Sequence, residues 1–221
     1  MSDQGALPDG RENDFGLIET LLWTRADGFD LLPEHLSRLA ASSATLGFAY
    51  DEARVRAALE DAVHDNDAPY LRVRLVLSRE GVIDTGVTKI EPISPETVWR
   101  VAIAKRRFCS ADRLLRHKTT RRAPYEDALA EAASRDGADE VLFLNERDEL
   151  CESARCNLFL PRGEILLTPP LSCGLLPGTL RARLIAERRA QEATLRVHDL
   201  TRGEFLLGNS VRGLVRARLI F

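Results

Sequence analysis

Tyr70-Leu71-Arg72-Val73-Arg74-Leu75-Val76-Leu77-Ser78 is the stretch on which the fold class turns. Leu71, Val73, Leu75 and Leu77 alternate with Arg72, Arg74, Val76 and Ser78, the period of two that sends successive side chains to opposite faces of a β-strand. One face is apolar and needs cover, while Arg72 and Arg74 share the other. The cover lies just upstream. Pro33 opens a helix where its missing N–H costs nothing, Leu36, Leu39, Ala40, Ser43 and Leu46 form a stripe at helical spacing, and Gly47 ends it. Asp51 caps a second helix with the stripe Val55, Ala58, Leu59, Ala62 and Val63. Before both, apolar stretches between Phe15 and Leu32 flank Arg25-Ala26-Asp27-Gly28, in which Asp27-Gly28 is a strong hairpin signal. A hairpin, two helices and a strand make a small sheet covered by helices.

Downstream, the apolar stretch Val98 to Ala104 ends at the basic run Lys105-Arg106-Arg107, and residues 108–113 read as a connection. The expected organisation is a flexible, Gly- and Asp-rich lead-in over 1–13, a small N-terminal α+β domain over 14–107 and a larger C-terminal α+β domain over 108–221. The second domain is expected to hold a helix over about 121–135 (Tyr125, Ala128, Leu129, Ala132) and strands at 140–144, 155–160 and 164–168. A helix after Gly178 and strands near 193–197, 204–208 and 214–220 complete it. Hairpins and helices mix without regular βαβ alternation, so the class is α+β and not doubly wound.

The 221 residues are 44% hydrophobic and 29% charged, enough for a sizeable core. Thirty-one basic against 34 acidic residues leave a net charge of −3, which gives no overall basic field to favour nucleic acid or an anionic membrane. A small-molecule substrate is expected. No apolar run approaches the roughly 20 residues that span a bilayer, and the polar opening Met1 to Asp14 lacks a signal-peptide core, so the expected compartment is the cytoplasm. Cys109, Cys151, Cys156 and Cys173 form no CxxC pair and read as reduced, structural residues; with four histidines in the chain, no metal site is expected. GxGxxG, GxxxxGK[ST], GxSxG and HExxH are all missing, which removes the commonest nucleotide, acyl-transfer and zinc readings.

Four segments remain: His117-Lys118-Thr119-Thr120, Cys151-Glu152-Ser153-Ala154-Arg155-Cys156-Asn157-Leu158-Phe159, Leu176-Pro177-Gly178-Thr179-Leu180-Arg181 and Leu207-Gly208-Asn209-Ser210-Val211-Arg212-Gly213. Taken singly they are a solvated lysine, a strand-edge carboxylate, a helix start and a turn. Taken together, with Phe15-Gly16-Leu17-Ile18-Glu19-Thr20, Glu34-His35-Leu36-Ser37-Arg38-Leu39, Leu46-Gly47-Phe48 and the 34-residue separation of Lys118 and Glu152, they resemble the class IV aminotransferase family. These are pyridoxal-phosphate (PLP) enzymes sharing the fold of branched-chain aminotransferases, D-amino acid aminotransferases and 4-amino-4-deoxychorismate lyases. The resemblance runs from about Phe15 to the C-terminus.

The resemblance implies the two-domain D-amino acid aminotransferase-like fold (fold type IV), PLP between the domains and a homodimer with each site near the subunit interface. It gives Lys118 the role of the amine that condenses with the cofactor aldehyde and is freed to move protons when substrate takes its place. Glu152 matches the glutamate that keeps the pyridine nitrogen protonated. Thr179 and Leu180, just after Gly178, match the backbone cup for the cofactor phosphate at a helix N-terminus. Arg38 matches the phosphate-binding arginine, and Asn209-Ser210 the later segment, whose serine hydroxyl contacts the same phosphate.

Within the family, His-Lys-Thr-Thr, Thr-Pro-Pro-Leu (168–171) and Asn-Ser-Val-Arg-Gly (209–213) look most like aminodeoxychorismate lyase domains, especially those fused after the chorismate-aminating component of p-aminobenzoate synthesis. The chain begins almost at Phe15, without the longer N-terminal strand region of free-standing aminotransferases, which suits such a module and implies association with that component. Family aminotransferases carry a tyrosine five residues after the lysine; Ala123 stands there, and Tyr125, two residues on, is expected to face elsewhere. The implied reaction is conversion of 4-amino-4-deoxychorismate to p-aminobenzoate and pyruvate, a folate-pathway step, with Lys118 as base and Thr20 guiding the proton. Arg72, Arg74 and Arg212 are the candidates for the substrate's two carboxylates. The alternatives are a branched-chain or D-amino acid aminotransferase, and a silent homologue serving as an assembly partner, against which the intact Lys118 and Glu152 argue.

Overall fold

The structure, a computed structural model, describes residues 15–201 and 203–220, so the expected lead-in over 1–13 lies outside the described residues. The first half contains β1 (Leu17–Thr24), β2 (Gly28–Phe29), α1 (Leu32–Leu46), α2 (Glu52–Val63), β3 (Tyr70–Leu77) and β4 (Ile83–Lys89). They build an antiparallel sheet in the order β2-β1-β3-β4. Thr24 pairs with Gly28, whose φ of 76° lies in the left-handed region that glycine enters freely. The Asp51 carboxylate accepts the Arg54 N–H at 3.2 Å, as the cap position requires. Leu71, Val73, Leu75 and Leu77 are buried in one cluster with Leu36, Leu39, Val55 and Leu59 of the two helices. Arg72 and Arg74 stand exposed on the opposite face, as strict alternation dictates.

The second half contains β5 (Val98–Phe108), α3 (Ala123–Asp136), β6 (Glu140–Asn145), β7 (Leu150–Ser153), β8 (Asn157–Arg162), β9 (Ile165–Thr168), α4 (Thr179–Ala186), β10 (Ala190–Glu192), α5 (Val197–Leu200), β11 (Phe205–Asn209) and β12 (Gly213–Leu219). The strand order is β10-β9-β8-β11-β12-β5-β6-β7, and β8 pairs with β7 as well. Six strands therefore close into a ring, with β9 and β10 as an extension. One apolar cluster draws Val101, Leu142, Leu150, Leu158, Leu207 and Ala217 from all six. A second, built from Ala102, Phe108, Val141 and Phe143, is covered by Ala132 of α3. Parallel pairing of β5 with β6 across α3, and of β9 with β10 across α4, adds two crossovers to a sheet that also contains antiparallel pairs, so the α+β class stands.

Three expectations need correction. The division at residues 107 and 108 falls at the end of β5, a strand of the second sheet paired with β12 and β6; the change of sheet lies between Lys89 and Val98. The basic run does not end the strand, because Lys105 and Arg107 reach Glu131 at 2.5 Å and Asp148 at 2.8 Å on the surface. The strand expected near 193–197 is absent: pairing stops at Glu192, and the Asp199 carboxylate accepts the Arg196 N–H at 2.8 Å, which starts the short helix α5. β4, which the sequence reading missed, pairs with β3 along its full length.

The two sheets meet along the start of β1. The Ile18 N–H donates to the Lys118 carbonyl at 2.8 Å, the Thr120 N–H to the Gly16 carbonyl at 2.9 Å, and the Ser210 hydroxyl to the Thr20 carbonyl at 3.1 Å. Glu34 of α1 and Arg183 of α4 add an ion pair at 2.5 Å.

Candidate active site

A cavity of about 1170 Å³ opens between the sheets. Every residue singled out from the sequence lines it: Thr20, Arg38, Arg72 and Arg74 from the first half, Lys118, Glu152, Gly178, Thr179, Leu180, Asn209, Ser210 and Arg212 from the second.

Lys118 follows a 3-10 turn at Arg113–Arg116 whose start is fixed by the Asp112 carboxylate, which accepts the Leu114 N–H at 2.9 Å. Its own carbonyl is held by Ile18, and Thr119 bridges to Leu17, so the backbone is clamped to β1 immediately after the side chain. Lys118 is half-buried by surface area because it borders the cavity, yet enough protein surrounds the amine to lower its pKa to about 8. Burial is the main cause; Arg122 and Arg38 add to it, and Glu19 and Glu152 oppose it. A larger share of free amine near neutral pH is the consequence.

Glu152 sits on β7, paired with Asn157 of β8 and 5% exposed. Burial raises its pKa to about 7, against the lowering pull of the Tyr125 hydroxyl, the Leu176 backbone, Arg122 and Lys118. The Tyr125 hydroxyl donates to Glu152 Oε1 at 3.1 Å, and its ring lies 5.0 Å from Phe108 and 5.2 Å from Phe143, with the Arg122 guanidinium 4.6 Å from the ring centre. Tyr125 thus faces the site, contrary to the expectation from its helical phase. The reason is that α3 begins only at Ala123, so Tyr125 lies in the first turn, where aromatic packing sets its direction.

At the far end, α4 starts immediately after Gly178. A Cβ at that position would stand 1.9 Å from Asn157 Oδ1, so glycine leaves room for the Asn157 side chain, whose Nδ2 donates to the Leu176 carbonyl at 3.0 Å. The N–H groups of Thr179 and Leu180, in the first turn, have no acceptor within the helix. Arg38 Nη1 donates to the Pro177 carbonyl at 3.1 Å, which lays a guanidinium beside them. A cation next to free N–H groups at a helix N-terminus is a donor set for a phosphate. Asn209 Oδ1 accepts the N–H groups of Val211 and Arg212 at 3.0 and 2.9 Å, so its side chain shapes the loop that carries Ser210. Arg72 touches Thr88 Oγ1 at 3.4 Å and Arg212 donates to the Glu91 carbonyl at 2.9 Å; Arg106, Arg121, Arg122 and Arg155 also line the cavity.

The sequence reading missed Glu19 and His35. The Arg38 fork donates to Glu19 through Nε at 2.9 Å and Nη2 at 2.6 Å, and His35 Nδ1 donates to the same carboxylate at 2.5 Å. Burial alone would raise Glu19, but Arg38 and His35 outweigh it and hold the carboxyl at about 2. A signal was present: Glu19 shares the covered face of β1 with Leu17 and Leu21, and His35 and Arg38 lie three apart on one face of α1.

Residues 16–220 match the family described as amino-transferase class IV. The chain belongs to that family. Its α+β architecture is the D-amino acid aminotransferase-like fold, fold type IV. A Schizosaccharomyces pombe protein named as an aminodeoxychorismate lyase is 30% identical over 92% of this chain and 89% of its own length. A Mesorhizobium loti crystal structure named as an amino-acid aminotransferase is 42% identical with a TM-score of 0.89, covering 94% of this chain and all of that one (100%). The PLP-bound form of a hypothetical aminotransferase from Mycobacterium tuberculosis shares the fold at 21% identity and a TM-score of 0.79, over 99% of this chain and 87% of that one.

Proposed function

We propose that this chain is a PLP-dependent 4-amino-4-deoxychorismate lyase that forms p-aminobenzoate and pyruvate. The observation that carries the reading is the placement of the Lys118 amine in one cavity with the buried Glu152 carboxylate and the α4 N-terminus. An amine, an acid and an anion cup are the three groups that PLP needs, and they fit it here. When bound, PLP supplies an electron sink for the carbon bearing the substrate amine.

Lys118 would anchor the cofactor, and its free amine would take the proton from the amino-bearing ring carbon; a pKa of about 8 leaves it able to do so. Enolpyruvate then departs, takes up a proton and becomes pyruvate, while the ring becomes aromatic. Glu152 holds a proton at the pyridine nitrogen. Arg38 and the N–H groups of Thr179 and Leu180 hold the phosphate, with Ser210 beside them. Arg72, Arg74 and Arg212 receive the two substrate carboxylates, and the Thr20 hydroxyl steers the proton. A homodimer, association with the chorismate-aminating component and a cytoplasmic setting belong to the same reading.

The lyase reading rests on the three segments cited above, on Ala123 and on the S. pombe relative. A second reading, aminotransferase, is favoured by the M. loti relative and by the Tyr125 phenol in the cavity. The deciding test adds PLP and then enzymatically generated 4-amino-4-deoxychorismate to the purified protein, with no amino acceptor, while p-aminobenzoate fluorescence is recorded. The expected result is a visible band of lysine-bound PLP followed by p-aminobenzoate. A band without product overturns the lyase in favour of the aminotransferase, to be tested with pairs of amino and keto acids. No band overturns both and leaves an assembly role.

A further inference from the structure

We propose that Glu19 and His35 are positioning residues for the phosphate end of the site, a role that rests on the PLP reading above. Glu19 is 3% exposed, His35 1% and Thr179 4%, so these polar groups see each other and not water. They belong to three elements, β1, α1 and α4, that only the fold brings together. An ionised carboxylate accepts only, so Glu19 takes Arg38 Nε and Nη2 as a fork and His35 Nδ1 as a third donor, at 2.9, 2.6 and 2.5 Å. The other end of each partner points at the start of α4. Arg38 Nη1 reaches the Pro177 carbonyl at 3.1 Å, and His35 Nε2 shares a hydrogen bond with Thr179 Oγ1 at 3.3 Å. The carboxylate therefore fixes the orientation of Arg38 and the place of the first turn of α4 by one set of contacts.

Electrostatics and positioning predict opposite results, which makes the role testable. A buried negative charge near an anion site repels the anion, so a carboxylate without an orienting role weakens phosphate binding. A carboxylate that holds the fork in place strengthens it, because a guanidinium free to swing loses its bidentate geometry.

The test compares Glu19→Gln with the native chain by dissociation constants for PLP, for pyridoxal, which lacks the phosphate, and for inorganic phosphate as a competitor. Glu19→Gln is expected to weaken PLP by about tenfold or more, the scale of a lost charge-assisted hydrogen bond, and to leave pyridoxal within about twofold. His35→Gln is expected to move the PLP to pyridoxal ratio in the same direction by less, and it decides the matter if Glu19→Gln does not fold by circular dichroism. Unchanged or tighter PLP binding overturns the proposal, and so does parallel weakening of PLP and pyridoxal, which would mark a general structural role. If the native chain itself binds PLP no better than pyridoxal and inorganic phosphate does not compete, the phosphate-end reading fails and this inference with it.

Discussion

Glu19 and Glu152 are two glutamates of nearly equal burial, 3% and 5% exposed, at two ends of one site. Glu19 is held at about 2 and Glu152 is raised to about 7. Burial pushes both upward, so burial does not separate them. The partners do. Glu19 receives the fork of Arg38 and a ring nitrogen of His35, whereas Glu152 has the neutral Tyr125 hydroxyl as its side-chain donor and feels Arg122 and Lys118 only as charges. One carboxylate is fixed as an anion that organises cations, and the other is poised to exchange a proton near neutral pH, which suits a residue facing a titratable ring nitrogen.

Lys118 feels both carboxylates, which raise its pKa against burial and two arginines. The most severe disruption is Lys118→Ala, which removes the group that both act upon. Turnover is expected to fall by about 10⁴-fold or more, with loss of the visible band of lysine-bound PLP. Survival of either the band or the turnover in a spectrophotometric assay would remove Lys118 from the centre of the site.

The contrast between the glutamates is itself measurable in the PLP-free protein as stability against pH. For Glu19, whose folded pKa lies below the ordinary value, the unfolded chain binds more protons between about 4.5 and about 2, so stability is lost as pH falls through that window. For Glu152, whose folded pKa lies above it, the folded chain binds more protons between about 4.5 and about 7, so stability is lost as pH rises through that window. Each contribution is on the order of 3 kcal/mol. Urea denaturation across pH is expected to show the acid-side loss reduced in Glu19→Gln and the neutral-side loss reduced in Glu152→Gln. Identical pH slopes in the native chain and both variants would show that partners do not separate the two groups. In the PLP-loaded enzyme, Glu152→Gln is expected to lower kcat by roughly 10- to 100-fold.

The half of this comparison that was legible in the sequence is Glu152. It stands in a dense segment with Asn157 and at a characteristic distance from Lys118, whereas Glu19 lies in an apolar strand and needs a helix folded over it before its role exists. The same distinction runs through the fold. α1, α2 and β3 carry complete local signals in Pro33, Asp51 and the alternation from Leu71 to Leu77. β4 carries only a weak one: Ile83 and Val87 share a face that packs on the core, but Asp84, Thr85, Gly86 and Thr88 dilute the pattern, and the strand forms because β3 offers it an open edge. The apolar residues Ala193, Leu195 and Val197 alternate as a strand would, but beyond Glu192 they make only isolated backbone hydrogen bonds, Ala193 N–H to the Thr168 carbonyl at 2.9 Å and Leu150 N–H to the Leu195 carbonyl at 2.8 Å, and no ladder continues. Local pattern identifies elements that stabilise themselves; elements that depend on a distant partner become visible only in three dimensions.

Tyr125→Phe makes the smallest and most specific change to the comparison. It keeps the ring packed on Phe108 and Phe143 and removes only the hydroxyl that donates to Glu152 at 3.1 Å. That hydrogen bond lowers the Glu152 pKa, so its loss is expected to raise it further above about 7. The neutral-side stability loss of the PLP-free protein should extend upward by about one pH unit, since a hydrogen bond to a charged acceptor contributes roughly 1.5–3 kcal/mol and part of it is regained from water. The pH midpoint of turnover in the loaded enzyme should move the same way, with only a several-fold change in rate at its optimum. A downward move, or none in either profile, would mean that the hydroxyl does not tune Glu152, and the separation between the two carboxylates would then rest on the Arg38 fork and His35 alone.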